Sequence, residues 1–62
     1  MDRPKVNKAT FAQIEFLAQA NGWIIFESFG LWTTGLNLNR MYTLVTKWIT
    51  QTGTIVEIEE EL

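Results

Sequence analysis

The chain has 62 residues, 47% of them hydrophobic and 13% aromatic, with five Lys and Arg against seven Asp and Glu and with neither His nor Cys. That composition excludes a disulfide staple, an ordinary structural zinc site and any imidazole- or thiol-based catalytic centre, so tight packing, self-association or a bound partner must stabilise so short a chain. Charge sits at the ends: Asp2, Arg3, Lys5 and Lys8 sum to plus two and Glu57, Glu59, Glu60 and Glu61 to minus four, while Glu15, Glu27, Arg40 and Lys47 cancel in the body between them.

We expect one small domain over 1–62, with 1–6 as a flexible basic arm and 60–62 as a frayed acidic end. The start leads into a polar segment instead of an apolar run, so no secretory signal is expected. The longest apolar run, Trp23 to Phe26, falls far short of the roughly 20 residues of a membrane span. The expectation is a cytoplasmic protein with no membrane partner.

A helix is predicted from Phe11 to Ala20, because Phe11, Ile14, Leu17 and Ala18 recur at three- and four-residue steps. Thr10 with Gln13 offers a capping box, and Asn7 offers a cap one turn earlier. Asn21-Gly22 supplies the stop, since glycine takes a left-handed conformation without steric cost.

Trp23 to Phe29 reads as a strand from its β-branched and aromatic content. Alternation sends Trp23, Ile25, Glu27 and Phe29 to one face and Ile24, Phe26 and Ser28 to the other, and with both faces apolar the strand belongs at the centre of a sheet. Gly30 then permits a reversal into a short strand, Leu31 to Thr34. Gly35 to Asn39 is expected as a loop, with Asn37 and Asn39 as helix caps.

From Arg40 to Gln51 the apolar set Met41, Leu44, Val45, Trp48 and Ile49 follows a helical period. The β-branched residues Thr43, Val45, Thr46, Ile49, Thr50 and Thr52 favour a rival hairpin turning at Thr52-Gly53. We follow the period, because a strand would present Thr43, Val45, Lys47 and Ile49 together and have no dry side. Thr54 to Glu59 closes the chain as an edge or half-exposed strand, Val56 and Ile58 in, Glu57 and Glu59 out.

The expected fold is therefore α+β in the order α-β-β-α-β, two helices on one face of a three-stranded sheet ordered second, first, third. Its core would hold Phe11, Leu17, Ile24, Phe26, Leu44, Trp48 and Val56. Setting Gly22 against Gly53 superposes two helix-Gly-strand units, but almost without identity, and we read this as shared patterning and not as a duplication.

The helix followed by Asn21-Gly22-Trp23 and an apolar strand resembles the opening of the small HicA-type toxins. Those ribonucleases depend on a Gly-Ser-His segment on the next strand, where this chain has Gly30-Leu31-Trp32 and no His, so no function is carried across.

Little catalytic chemistry remains in the composition. Glu57 with Glu59 on one strand face is the available acid-base pair, but adjacent exposed glutamates more often discourage strand aggregation, and two carboxylates are too few for a hard cation. No catalytic residue, cofactor or metal is expected. A nucleic-acid surface would have to gather Arg3, Lys5, Lys8, Arg40 and Lys47 beside strand aromatics. Aromatic residues beyond the needs of the core point instead to a protein interface, with Trp23, Ile25, Phe29 and Trp32 as candidates. The function expected is a small non-catalytic interaction or regulatory module, working as a homodimer or in a complex, with a nucleic-acid-binding regulator as the alternative.

Overall fold

In the computed structural model the described residues are 3–34 and 38–62, Thr33 by its backbone only. The elements run β1 (Lys5–Val6), α1 (Lys8–Ala20), β2 (Ile24–Thr34), β3 (Arg40–Ile49) and β4 (Ile55–Glu61). They form one helix and one mixed sheet ordered β1-β4-β3-β2, in which β1 runs parallel to β4 and the other pairs are antiparallel. The expected arrangement of two helices on three strands is thus corrected to one helix on four strands. Met1 and Asp2 of the expected arm, and Gly35 and Asn37 of the expected loop, lie outside the described residues.

The second predicted helix is β3, one of the two internal strands. Its helical period is a coincidence of burial, because β3 is flanked by β2 and β4 and covered on both faces at mid-length, so apolar residues need not alternate. Thr43 and Val45 are 0% exposed on one face and Trp48 is 2% exposed on the other. The polar members of the face that seemed to lack a dry side are accommodated: Thr43 Oγ1 donates to Glu59 Oε2 at 2.7 Å, and Lys47 pairs with Glu27. With β3 a strand, Gly53 (φ +86°) serves the tight turn into β4 instead of ending a helix. The repeat suggested by aligning Gly22 with Gly53 has no counterpart in the fold.

No reversal occurs at Gly30. The two short strands predicted around it are one strand of 11 residues, and Tyr42 from β3 lies across Gly30 so closely that a Cβ there would run into its hydroxyl. Glycine in a strand interior commonly marks such a close approach. This strand is also an edge, not the centre. Between Ile25 and Glu27 the pairing with β3 shifts register, leaving Phe26 as an extra, exposed residue. Without the shift, Glu27 would follow Ile25 to the helix side of the sheet. With it, Glu27 reaches the other face and meets Lys47 Nζ at 3.1 Å.

The helix begins one turn earlier than the capping box predicts. Asn7 is the cap, its Oδ1 accepting from Thr10 N at 2.8 Å. Gly22 (φ +75°) follows the helix end as expected. One face of the helix packs on the sheet: Phe11 and Ala18 meet Trp48 and Ile58, and Val6, Ile14, Trp23 and Val56 close the cluster. Leu17, Ile24 and Phe26, expected in this core, are exposed, since among the described residues there is no second helix to cover them.

Trp48 is the largest of the fully buried side chains, and its ring centroid lies 5.7 Å from Phe11 and 6.4 Å from Trp23. Truncating it to alanine should cost about 3–5 kcal/mol. That is comparable with the whole stability of a domain of this size, roughly 3–9 kcal/mol. Trp48→Ala should therefore lose most of its cooperative urea transition by circular dichroism, whereas a transition close to wild type would show that the cluster is not the core.

Candidate interaction surface

Register pairing sorts the side chains into two faces. On the helix side lie Ile25, Ser28, Gly30, Trp32 and Thr34 of β2, opposite Trp48, Thr46, Leu44, Tyr42 and Arg40 of β3. The open face carries Glu27, Phe29 and Leu31 against Lys47, Val45 and Thr43, with Glu57, Glu59 and Glu61 alongside on β4.

The open face is organised by charge. Arg3 reaches both Glu57 and Glu59, the latter at 3.2 Å from Nε to Oε1, and Lys5 Nζ lies 3.9 Å from Glu59 Oε2. The Glu59 backbone N–H donates to the Pro4 carbonyl at 2.9 Å, so main chain and side chain together fasten residues 3–6 of the expected arm along β4. Burial pushes the Glu59 carboxyl up, but hydrogen bonds from Thr43 and Arg3 and the positive charges of Lys5 and Arg3 outweigh it and hold the group below the usual glutamate range. A general acid needs the opposite shift. Through Arg3 and Lys5 the two glutamates tether the N-terminal segment, β1 included, along β4. Among the described residues no cluster of His, Cys, Asp and Glu could hold a metal ion.

Three of the five candidate cations share the open face, each against a glutamate, and the other two lie elsewhere. Arg3 and Lys5 belong to the glutamate cluster, and Lys47 is paired with Glu27 and stands 5.7 Å from the centre of the Phe29 ring. Lys8 borders a groove between helix and sheet, walled by Lys8, Ala12 and Glu15 on one side and Ile25, Ser28 and Leu44 on the other. Arg40 lies over Trp32 at 5.1 Å.

The four candidate interface residues are also divided. Trp23 packs into the core, and Phe29 is half-buried on the open face. Ile25 and Trp32 share the helix side, where the helix leaves them exposed. The bulge at Phe26 decides which of them share a face, moving Phe29 away from Ile25 and Trp32 toward it relative to a simple alternation.

What the structure does assemble is an aromatic platform at the far end of the β2–β3 ribbon. Trp32 is 59% exposed and meets Tyr42 edge to face with ring centroids 5.2 Å apart, Arg40 flanks it, and Gly30 makes room for the tyrosine. Tyr42 and Arg40 owe their place to β3 being a strand. The exposed β2 edge runs beside this platform. Its counterpart, β1, is two residues long and directly preceded by Pro4.

No family model, curated protein or solved structure matches the chain. Among the described residues, no helix is long and apolar enough to cross a membrane.

The tether makes two predictions. Thr43→Val removes a buried hydroxyl from a carboxylate and should cost about 1–3 kcal/mol in urea unfolding. Because the folded pKa of Glu59 is depressed, its contribution is present above the ordinary glutamate value of 4.5 and is lost as pH falls through the folded value. Glu59→Gln should accordingly be less stable than wild type at pH 7, with a gap that closes toward pH 3; an equal gap at both values would remove ionisation as the cause.

Proposed function

We propose that this protein is a small, non-catalytic, cytoplasmic interaction module of a regulatory kind, working as a homodimer or in a complex through the far end of the β2–β3 ribbon. One observation carries the reading: an 11-residue edge strand bears exposed Ile24, Ile25, Phe26 and Trp32, with Glu27 as its single charge. Soluble proteins usually blunt such an edge with charges, prolines, short length or cover, and long flat apolar edges mark pairing sites. On this chain the opposite edge has the protections of shortness and proline, while β2 has one bulge near its start.

The Trp32–Tyr42–Arg40 cluster adds the residue types that dominate binding hot spots. A nucleic-acid platform would need a basic groove around it, and three of the five candidate cations are instead engaged by glutamates on the open face. The cytoplasmic placement is supported by the shortness of the apolar runs.

Light scattering behind a sizing column should find a mass near twice 7.2 kDa. Trp32→Ala should move the mass toward the monomer while leaving circular dichroism unchanged, because the side chain lies outside the core cluster. A wild-type monomer whose mass and solubility Trp32→Ala leaves untouched would overturn the reading.

A further inference from the structure

Resting on that reading, we infer that β2 pairs antiparallel with β2 of a second copy, with Leu31 on the two-fold axis, joining two four-stranded sheets into one. The argument begins with main-chain direction. Thr43 Oγ1 lies 3.4 Å from the Leu31 carbonyl, and Leu62 N donates to the Tyr42 carbonyl on the other side of β3. The Leu31 main chain therefore points toward β3 and Tyr42 toward β4, which fixes the alternation along the ribbon. Ser28, Gly30, Trp32 and Thr34 then turn their N–H and C=O groups outward from the sheet. Among the described residues no strand lies beyond β2 to take up this row of donors and acceptors, and another strand would match its spacing.

Self-pairing fits this row in one register better than in its neighbours. With Leu31 opposite Leu31, Ser28 faces Thr34 and Gly30 faces Trp32, so all four outward residues find outward partners and each pair exchanges two hydrogen bonds. Centring on Gly30 would set glycine against glycine and bring Thr34 against the bulged Phe26. Centring on Trp32 would carry Ser28 past the end of the strand. The favoured register also sets the exposed Trp32 over Gly30 of the other copy, beside the tyrosine that already lies across that glycine. Cross-strand aromatic contacts of this kind add to sheet stability.

Charge agrees with this choice. Glu27, the one charge of β2, falls outside the Ser28–Thr34 stretch and is paired with Lys47, so the two-fold operation brings no like charges face to face. The pairing is isologous and closes after two copies, because it consumes the exposed long edge of each and leaves only the short β1 edges.

The absence of cysteine makes the test direct. A single Leu31→Cys substitution can form only an intermolecular disulfide, and residues at a non-hydrogen-bonded antiparallel position stand about 4.5 Å apart at Cα, within disulfide range. Under mild oxidation Leu31→Cys should cross-link roughly tenfold or more faster than Phe16→Cys on the exposed side of the helix, because pairing raises the local thiol concentration. A mixture of Ser28→Cys and Thr34→Cys should give the mixed dimer in preference to either homodimer. Ser28→Pro, which removes an outward N–H at an edge position, should be a folded monomer. A dimer that survives Ser28→Pro, or that cross-links through Phe16→Cys and not Leu31→Cys, overturns the β2 pairing and leaves the interaction module standing. A folded wild-type monomer at every concentration overturns the pairing and removes the homodimer with it.

Discussion

The indole of Trp48 lies between Phe11 of the helix and Trp23 at the approach to β2, and burying it requires three segments to be in place at once. A chain this short has one such hub. With no cysteine to form a disulfide, the helix is held to the sheet by the apolar area gathered around this side chain. Because the contact uses one stripe of the helix, Phe16 on its far side stays 71% exposed.

On the opposite face a polar arrangement does the corresponding work. Glu59 is 6% exposed, yet both carboxylate oxygens are engaged, by Arg3 on one side and by Thr43 and Lys5 on the other. A buried carboxylate without such partners would be costly, and with them it orders the N-terminal segment along β4. The same cluster pairs Arg3 and Lys5 with carboxylates. The acidic end and the basic start therefore bind each other within one molecule.

The sheet is left with two unlike edges. One is brief and follows a proline, while the other is long and lined with exposed aromatic and aliphatic side chains. Two of the exposed aromatic residues, Trp32 and Tyr42, meet where the helix does not reach, with Trp32 on the free edge strand. The proposed interaction role rests on that location more than on aromatic content, since Trp23 belongs to the core.

Local chemistry determined the first helix, its Asn7 cap and the glycine that follows it, because capping and chain reversal act within a few residues. The strand character of Trp23 to Phe29 and of Thr54 to Glu59 was also legible, as was the apolar inward set Val56 and Ile58. Tertiary structure decided β3. Its helical spacing is meaningful only for an element with one wet side, and burial of side chains on both faces of β3 erased that distinction. It likewise decided the bulge at Phe26, which the pairing of Glu27 with Lys47 accompanies, and so which of Ile25, Phe29 and Trp32 share a face. Edge position and the closing of the Arg3–Glu59 tether depend on contacts between residues far apart in the chain, for which a single sequence carries no local signal.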